Sequence, residues 1–164
     1  MGWISIVSES SLSRLGDVAF ANRHRLRRMW LISPWITAGD SKCDPLALLI
    51  EACSYRRCAV HLLTRPPREL WHSKAIQVLR SNTNPVVLFD PQLHAKLYIL
   101  ECDGFRYAML GSPNLTRRAN TENRELAVEF RTTSTSGSDD VALMIDELLS
   151  FARALMCEQN VTLD

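Results

Sequence analysis

No apolar run in the sequence approaches the roughly 18 residues that a membrane-spanning helix requires. Nor does a basic flank lead into an apolar signal-peptide core at the N-terminus. On these absences the expectation is a cytoplasmic, unprocessed chain that does not insert into membranes. The five cysteines, Cys43, Cys53, Cys58, Cys102 and Cys157, are odd in number and include no Cys-x-x-Cys pair, so the spacing of a disulfide framework or a zinc site is missing. Internal repeats and low-complexity tracts are absent, which excludes solenoids. The one linker-like stretch is the Ser/Thr-rich segment 132–138. There is almost no surplus of one charge either: 19 Lys and Arg against 18 Asp and Glu leave a net +1, so the whole-chain value names no polyanionic partner.

What is present is one domain's worth of chain. Its 164 residues, 46% hydrophobic and 23% charged, suffice for a single globular domain over 1–164 and exclude disordered, collagen-like and coiled-coil readings. Charge is segregated along it. Residues 1–131 carry 18 basic and 12 acidic side chains, whereas residues 132–164 carry 1 and 6. A nucleic acid can meet the basic body while the acidic tail faces elsewhere; solvated faces that happen to segregate explain the same counts.

Strands and helices alternate. Val18–Arg28, with the cluster Arg23-His24-Arg25-Leu26-Arg27-Arg28, reads as a helix whose arginines face solvent, running into a buried strand at Met29–Ser33. Pro45–Ala52 has helical apolar spacing, with Asp44 as N-cap and Pro45 in the first turn. Ala59–Thr64 and Pro85–Phe89 read as strands, and Glu69–Leu79 as the helix between them. After the linker, Ser138 is an N-cap candidate for an amphipathic helix over 139–157 whose stripe is Val141, Met144, Ile145, Leu148, Ala152 and Leu155, a core face or a dimer face. The pattern implies an α/β sandwich with a largely parallel start.

The chemistry concentrates in 93–129. Alternation from His94 to Ile99 predicts a strand with His94, Lys96 and Tyr98 on one face and Ala95, Leu97 and Ile99 on the inward face. Asp103-Gly104 is a strong signal for a two-residue hairpin turn with positive φ at both positions. With that turn at the tip, Lys96 faces Gly111 and His94 faces Pro113. The hairpin therefore brings Gly111-Ser112-x-Asn114 beside His94-x-Lys96: imidazole, ammonium, hydroxyl and carboxamide together, the set needed to bind and attack a phosphodiester. Singly, each has a plainer reading: Asn114 as a cap or turn residue, Glu125 as the ion-pair partner of Arg124 or Arg131, Gly111 as a backbone requirement.

His94-x-Lys96, an acid five residues after the lysine, and Gly111-Ser112-x-Asn114 resemble the HKD signature of the phospholipase D superfamily. Asn123–Val128 resembles the strand that brings a further glutamate to the site in that family, and Leu31–Ile36 its first strand, so the likeness covers about residues 18–156. The acid position holds Glu101 instead of Asp, with Asp103 two residues on. The resemblance implies a phospholipase D-like α-β-α sandwich, a mixed sheet flanked by helices, with one HKD half per chain, and hence a homodimer sharing one active site. It implies that His94 attacks phosphorus to form a phosphohistidine, that Lys96 and Asn114 neutralise the non-bridging oxygens, and that Glu125 orients an imidazole. Gly111, Ser112, Arg117 and Arg118 would contact phosphate, and Glu101 would be a structural salt-bridging acid. No metal or other cofactor is implied.

The substrate implied first is nucleic acid, DNA or RNA, on the basic body and on Arg65, Arg117 and Arg118 near the predicted site. A phospholipid-cleaving enzyme is the alternative, and an exposed patch made of Trp3, Trp30, Trp35 and Trp71 would favour it. A third reading is a nucleic-acid-binding or partner-activated subunit of a bacterial defence or restriction complex, served by a helicase or ATPase partner that docks on the acidic tail.

Overall fold

The computed structural model describes residues 1–39, 44–133 and 139–161. Within them the order is β1 (Gly2–Val7), α1 (Ser11–Ala21), β2 (Leu26–Ile32), α2 (Pro45–Ser54), β3 (Ala59–Thr64), α3 (Leu70–Asn82), β4 (Val86–Phe89), β5 (Leu97–Cys102), β6 (Phe105–Gly111), α4 (Arg117–Thr121), β7 (Ala127–Thr132) and α5 (Asp140–Val161). The strands form one sheet of order β1-β7-β6-β5-β2-β3-β4. β2, β3 and β4 are parallel, and β1, β7, β6, β5 and β2 pair antiparallel. The mixed α/β sandwich expected from the sequence is what forms.

Both sheet faces are covered. Leu31, Tyr98, Leu100 and Tyr107 pack against α1, α2 and α3 on one side, while Trp30, Ile32, Leu97, Ile99 and Phe130 pack against α5 on the other. Strands buried on both faces must be apolar on both. This corrects the expectation of a single inward face on β5: Tyr98 is wholly buried, and burial pushes its phenol pKa upward. The Asp44 carboxylate accepts the Leu46 N–H at 2.9 Å and caps α2, with Pro45 in its first turn, as the sequence predicts.

Several boundaries differ from expectation. The segment 18–28 is not one helix. The Asn22 side chain donates to the Val18 carbonyl at 2.9 Å and ends α1, and Leu26, fully buried, already belongs to β2. β1 was not anticipated, because Trp3, Ile4 and Ile6 on an edge strand leave both of its faces apolar in sequence. Of the segment read as a linker, Thr132 is the buried last residue of β7, 134–138 lie outside the described residues, and with them the proposed Ser138 cap. Asp139 serves instead, accepting the Ala142 N–H at 2.7 Å. α5 is rotated relative to the predicted stripe: Val141, Ala142, Ile145, Leu149, Ala152 and Met156 are buried, and Met144 is exposed. Among the described residues no helix is long and apolar enough to cross a membrane.

The hairpin register is the predicted one, from Cys102 opposite Phe105 to Leu97 opposite Leu110. The strand itself begins at Leu97 instead of Leu93. The Gly111 N–H still reaches the Lys96 carbonyl at 3.3 Å, but Pro113, the next facing position, has no N–H to continue the ladder. At the tip only Gly104 adopts positive φ, at 69°. Asp103 is held otherwise: its N–H donates to the Arg25 carbonyl at 2.9 Å and its carboxylate accepts from Arg27 at 2.7 Å.

Candidate active site

The carboxyl ends of β2 and β3, the lead-in to β5 and the loop after β6 meet at one edge of the sheet, where ligands collect in open α/β folds. Three anchors shape that edge. Tyr98, standing in the core, donates its hydroxyl to the Pro113 carbonyl at 2.7 Å. Ser33, buried after β2, accepts the Leu115 N–H at 2.9 Å and donates to the Trp35 carbonyl at 2.7 Å. Thr37 adds its N–H to the Leu115 carbonyl at 3.0 Å. Asn114 is thereby pinned from both sides, and its buried Oδ1 has no hydrogen-bond partner among the described residues. A buried, unpaired amide oxygen is costly, and Asn114 borders a cleft. The cap of α4 is Thr116, which accepts the Ala119 N–H at 3.2 Å, so Asn114 is not a helix cap.

His94 and Lys96 lie in the lead-in to β5, where the Lys96 carbonyl meets Gly111. His94 is exposed, and its Nε2 is 2.9 Å from Nη2 of Arg65. A guanidinium only donates, so Nε2 is the acceptor and carries the lone pair. Nε of Arg65 donates to the Leu93 carbonyl at 2.8 Å, and the guanidinium lies 5.3 Å from the ring centre of Trp35. Lys96 Nζ donates to the His94 carbonyl at 2.8 Å. Residue His94 thus holds one cation at its ring and one at its carbonyl, and among the described residues neither cation has an acidic partner. Sequence reading placed Arg65 near the site as a flanking group; that it sits on His94 has no sequence signal, since 29 residues separate them.

The remaining predicted site residues divide. Gly111 has a packing reason of its own. A Cβ there would fall 2.3 Å from the Leu126 carbonyl oxygen and 2.6 Å from the Ala127 Cα, so glycine is required where the two chain segments pass. Ser112 Oγ donates to Glu125 and accepts the Leu126 N–H at 3.0 Å, which commits the hydroxyl to the junction instead of to a substrate oxygen. Glu125 also accepts from Asn123 at 3.1 Å and makes no hydrogen bond to His94 within the chain. It pairs with neither Arg124 nor Arg131, the latter bonding Glu129 at 2.9 Å. Arg118 lines the cleft beside Asn114 and pairs with Glu122 at 3.2 Å. Arg117 is exposed and its positive charge acts on Asp44, away from His94. Glu101 stands at the other end of β5, accepting from Arg28 at 2.8 Å and Trp30 at 3.3 Å, the salt bridge expected of it.

The predicted tryptophans do not form one patch. Trp30 is buried under α5, Trp3 is exposed on β1, and Trp35 and Trp71 flank the site with ring centres 5.9 Å apart. Behind them His72 is wholly buried and 3.0 Å from the Thr64 hydroxyl, its pKa lowered by burial.

An open imidazole, two unneutralised cations and an unpaired carboxamide at the carboxyl edge of an α/β sandwich make up an anion-handling site of the kind phosphodiester enzymes use. A family model described as cardiolipin synthase, PLD-like domain, matches residues 25–144, and the chain belongs to this phospholipase D-like family. Among solved structures it is similar to the phospholipase D family member Nuc from Salmonella typhimurium, at 14% identity over 94% of this chain and 93% of that one, TM-score 0.67. It is similar also to NucT from Helicobacter pylori, at 15% identity over 97% and 98% of the two chains, TM-score 0.67. Polyphosphate kinase from Porphyromonas gingivalis shares the fold at 13% identity and TM-score 0.59, over 94% of this chain but 26% of the kinase. No curated protein sequence matches.

Proposed function

We propose that this phospholipase D-type phosphodiesterase is a nuclease, cleaving DNA or RNA through a phosphohistidine in a site shared by two copies of the chain. The observation that carries the reading is the solitary open imidazole. Of the four histidines, His72 is buried, His61 stacks on Trp30 at 4.2 Å, and His24 lies against Tyr55 at 5.4 Å, at the opposite end of the sheet. One chain therefore supplies a nucleophile but no second imidazole to protonate the leaving oxygen, and a twofold pairing supplies it.

In the first step Nε2 of His94 attacks phosphorus. The P–N bond forms as the bond to the leaving oxygen breaks, and that oxygen takes a proton from the partner's His94. In the second step the now neutral imidazole removes a proton from water, whose oxygen displaces Nε2. The sum is hydrolysis. Attack needs the lone pair that Arg65 occupies, so an incoming phosphate oxygen must draw Arg65 off the ring. Arg65, Lys96 and the Asn114 amide N–H then face the two non-bridging oxygens on which charge is held. Glu125 and Ser112 brace the approach of β6 to β7, and Glu101 ties β5 to β2.

A phospholipid substrate is the second reading, favoured by Ile6, Leu110 and Leu126, which are exposed at the same end of the sheet as the site. One assay separates the two: cleavage of labelled single- and double-stranded DNA and RNA, and of cardiolipin vesicles, in excess EDTA, by the wild type and by His94→Ala. Nucleic-acid cleavage that survives EDTA and disappears in the variant, from a protein that sediments as a dimer, is expected. Cleavage of lipid alone overturns the nuclease reading, and activity in a monomer overturns the shared site. A folded dimer silent on every substrate would point to the helicase or ATPase partner.

A further inference from the structure

Beside the phosphate-binding groups lies a cleft of about 640 Å³, lined by Trp35, Thr37, Trp71, Asn114, Thr116 and Arg118. Its volume is that of a small-molecule site. Two indoles form its apolar part, and hydroxyls, an amide and a guanidinium form the rest. Trp71, in the first turn of α3, is 43% exposed, and the planes of Trp71 and Trp35 meet at 54°, so the rings diverge and do not cover one another. Each indole is backed. His72 stacks against Trp71 at 5.6 Å and 21° and meets Trp35 edge-on at 5.5 Å.

His72 itself is fixed. Thr64 donates its hydroxyl to the Pro34 carbonyl at 3.2 Å, so the hydroxyl oxygen accepts from Nε2 of His72 at 3.0 Å. The imidazole therefore carries its proton on Nε2, and its buried Nδ1 has no hydrogen-bond partner among the described residues. A neutral aromatic wedge, wholly buried, thus holds both tryptophans in place without competing for an anion. Arg65, whose guanidinium lies 5.3 Å from the Trp35 ring centre, reaches His94 at 2.9 Å. Asn114, whose buried Oδ1 is unpaired, belongs to the cradle and to the cleft at once.

We infer that this cleft is a nucleobase subsite, in which the base next to the scissile phosphate stacks on the exposed Trp71 and meets the inclined Trp35 at its edge. The substrate is then a single-stranded polynucleotide. In a duplex both faces of every base are covered by neighbouring bases, and only an unpaired strand can offer a face to an indole. A lipid chain suits the cleft poorly, since it would leave the Asn114 oxygen unpaired and lay hydrocarbon against the polar groups of Thr37, Thr116 and Arg118. The Asn114 oxygen accepts from the N–H edge of the stacked base while its amide N–H turns to the phosphate. The inference rests on the nucleic-acid reading above and names the strand form that the site accepts.

The test measures fluorescence anisotropy in a His94→Asn background, which holds the substrate without cutting it. The probes are a labelled oligothymidylate, the same strand with abasic residues, and its duplex with oligoadenylate. Tight binding to the intact single strand alone is expected, with a loss of about tenfold for Trp71→Ala, the order that one base–aromatic stack is worth, and recovery with Trp71→Phe. Intact and abasic strands bound alike, or Trp71→Ala binding as tightly as its parent, would overturn the subsite while leaving the nuclease reading standing. Failure to bind any of the three probes would overturn both.

Discussion

Replacing Glu101 by Gln separates a structural acid from a chemical one. The Glu101 side chain is 17% exposed, 2.8 Å from Arg28, 3.3 Å from Nε1 of Trp30 and 3.9 Å from Arg153 of α5. Gln keeps the shape and an oxygen for the indole, so only the ionic part is lost. Both arginines are substantially exposed, at 42% and 55%, and solvent screens them, which limits the loss to about 1 kcal/mol. In a domain of this size that lowers the melting temperature by about 2–4 °C. The strand from Leu97 to Glu101 alone spans about 13 Å, beyond hydrogen-bonding reach of phosphorus, so kcat stays within about twofold of wild type. Thermal melts and EDTA-resistant cleavage on the same preparations check both numbers. A variant that melts with the wild type but turns over tenfold more slowly would refute the assignment and put the acid in the chemistry.

Three further outcomes follow from the geometry. Gly111→Ala places a methyl against the Leu126 carbonyl and Ala127 Cα and costs about 1–3 kcal/mol in urea denaturation, as overpacking does. Arg65→Met lowers kcat/KM about a hundredfold in steady-state cleavage with no change in melting temperature, and Arg65→Lys restores part of it. Glu129 is wholly buried; desolvation raises its pKa, but hydrogen bonds from Ser5, Arg14 and Arg131 outweigh this and hold it below the ordinary glutamate value. Its contribution is therefore complete above about pH 4.3 and is lost as pH falls through the lower native value, so Glu129→Gln destabilises by about 3 kcal/mol at pH 7 and its stability converges with the wild type's in acid.

The parts of this fold legible in the sequence are those encoded locally. Asp103-Gly104 and the flanking alternation suffice to put Lys96 opposite Gly111, because a tight turn fixes every later pair. Asp44-Pro45 marks the start of α2 by capping chemistry alone. What could not be read is set by tertiary packing. Leu148 and Leu155 satisfy a helical period as well as Leu149 and Met156 do, and only the curve of the sheet beneath α5 selects the second pair. Within the site, the hairpin sets Lys96 beside Gly111, three residues before Asn114. Arg65 reaches His94 through the approach of β3 to the lead-in of β5, and Ser112 and Glu125 engage each other because β7 returns beside β6, which no local pattern contains. Glu125, in sequence a group for an imidazole, accepts within one chain from the Ser112 hydroxyl.

The pairing of β1 with β7 has a consequence for how the molecule is made. Gly2 lies opposite Thr132 and Val7 opposite Ala127, so β1 finds its backbone partner only after some 125 further residues have been made. Until then Trp3, Ile4 and Ile6 form an apolar strand with two open edges, the kind of segment that pairs with whatever strand it meets. The same closure brings Ser5 and Arg14 onto Glu129, so the buried carboxylate, which Arg131 of its own strand already pairs, gains its remaining partners only when β1 and α1 meet β7. Synthesis of this protein therefore has an interval in which an apolar strand waits unpaired for a partner made much later.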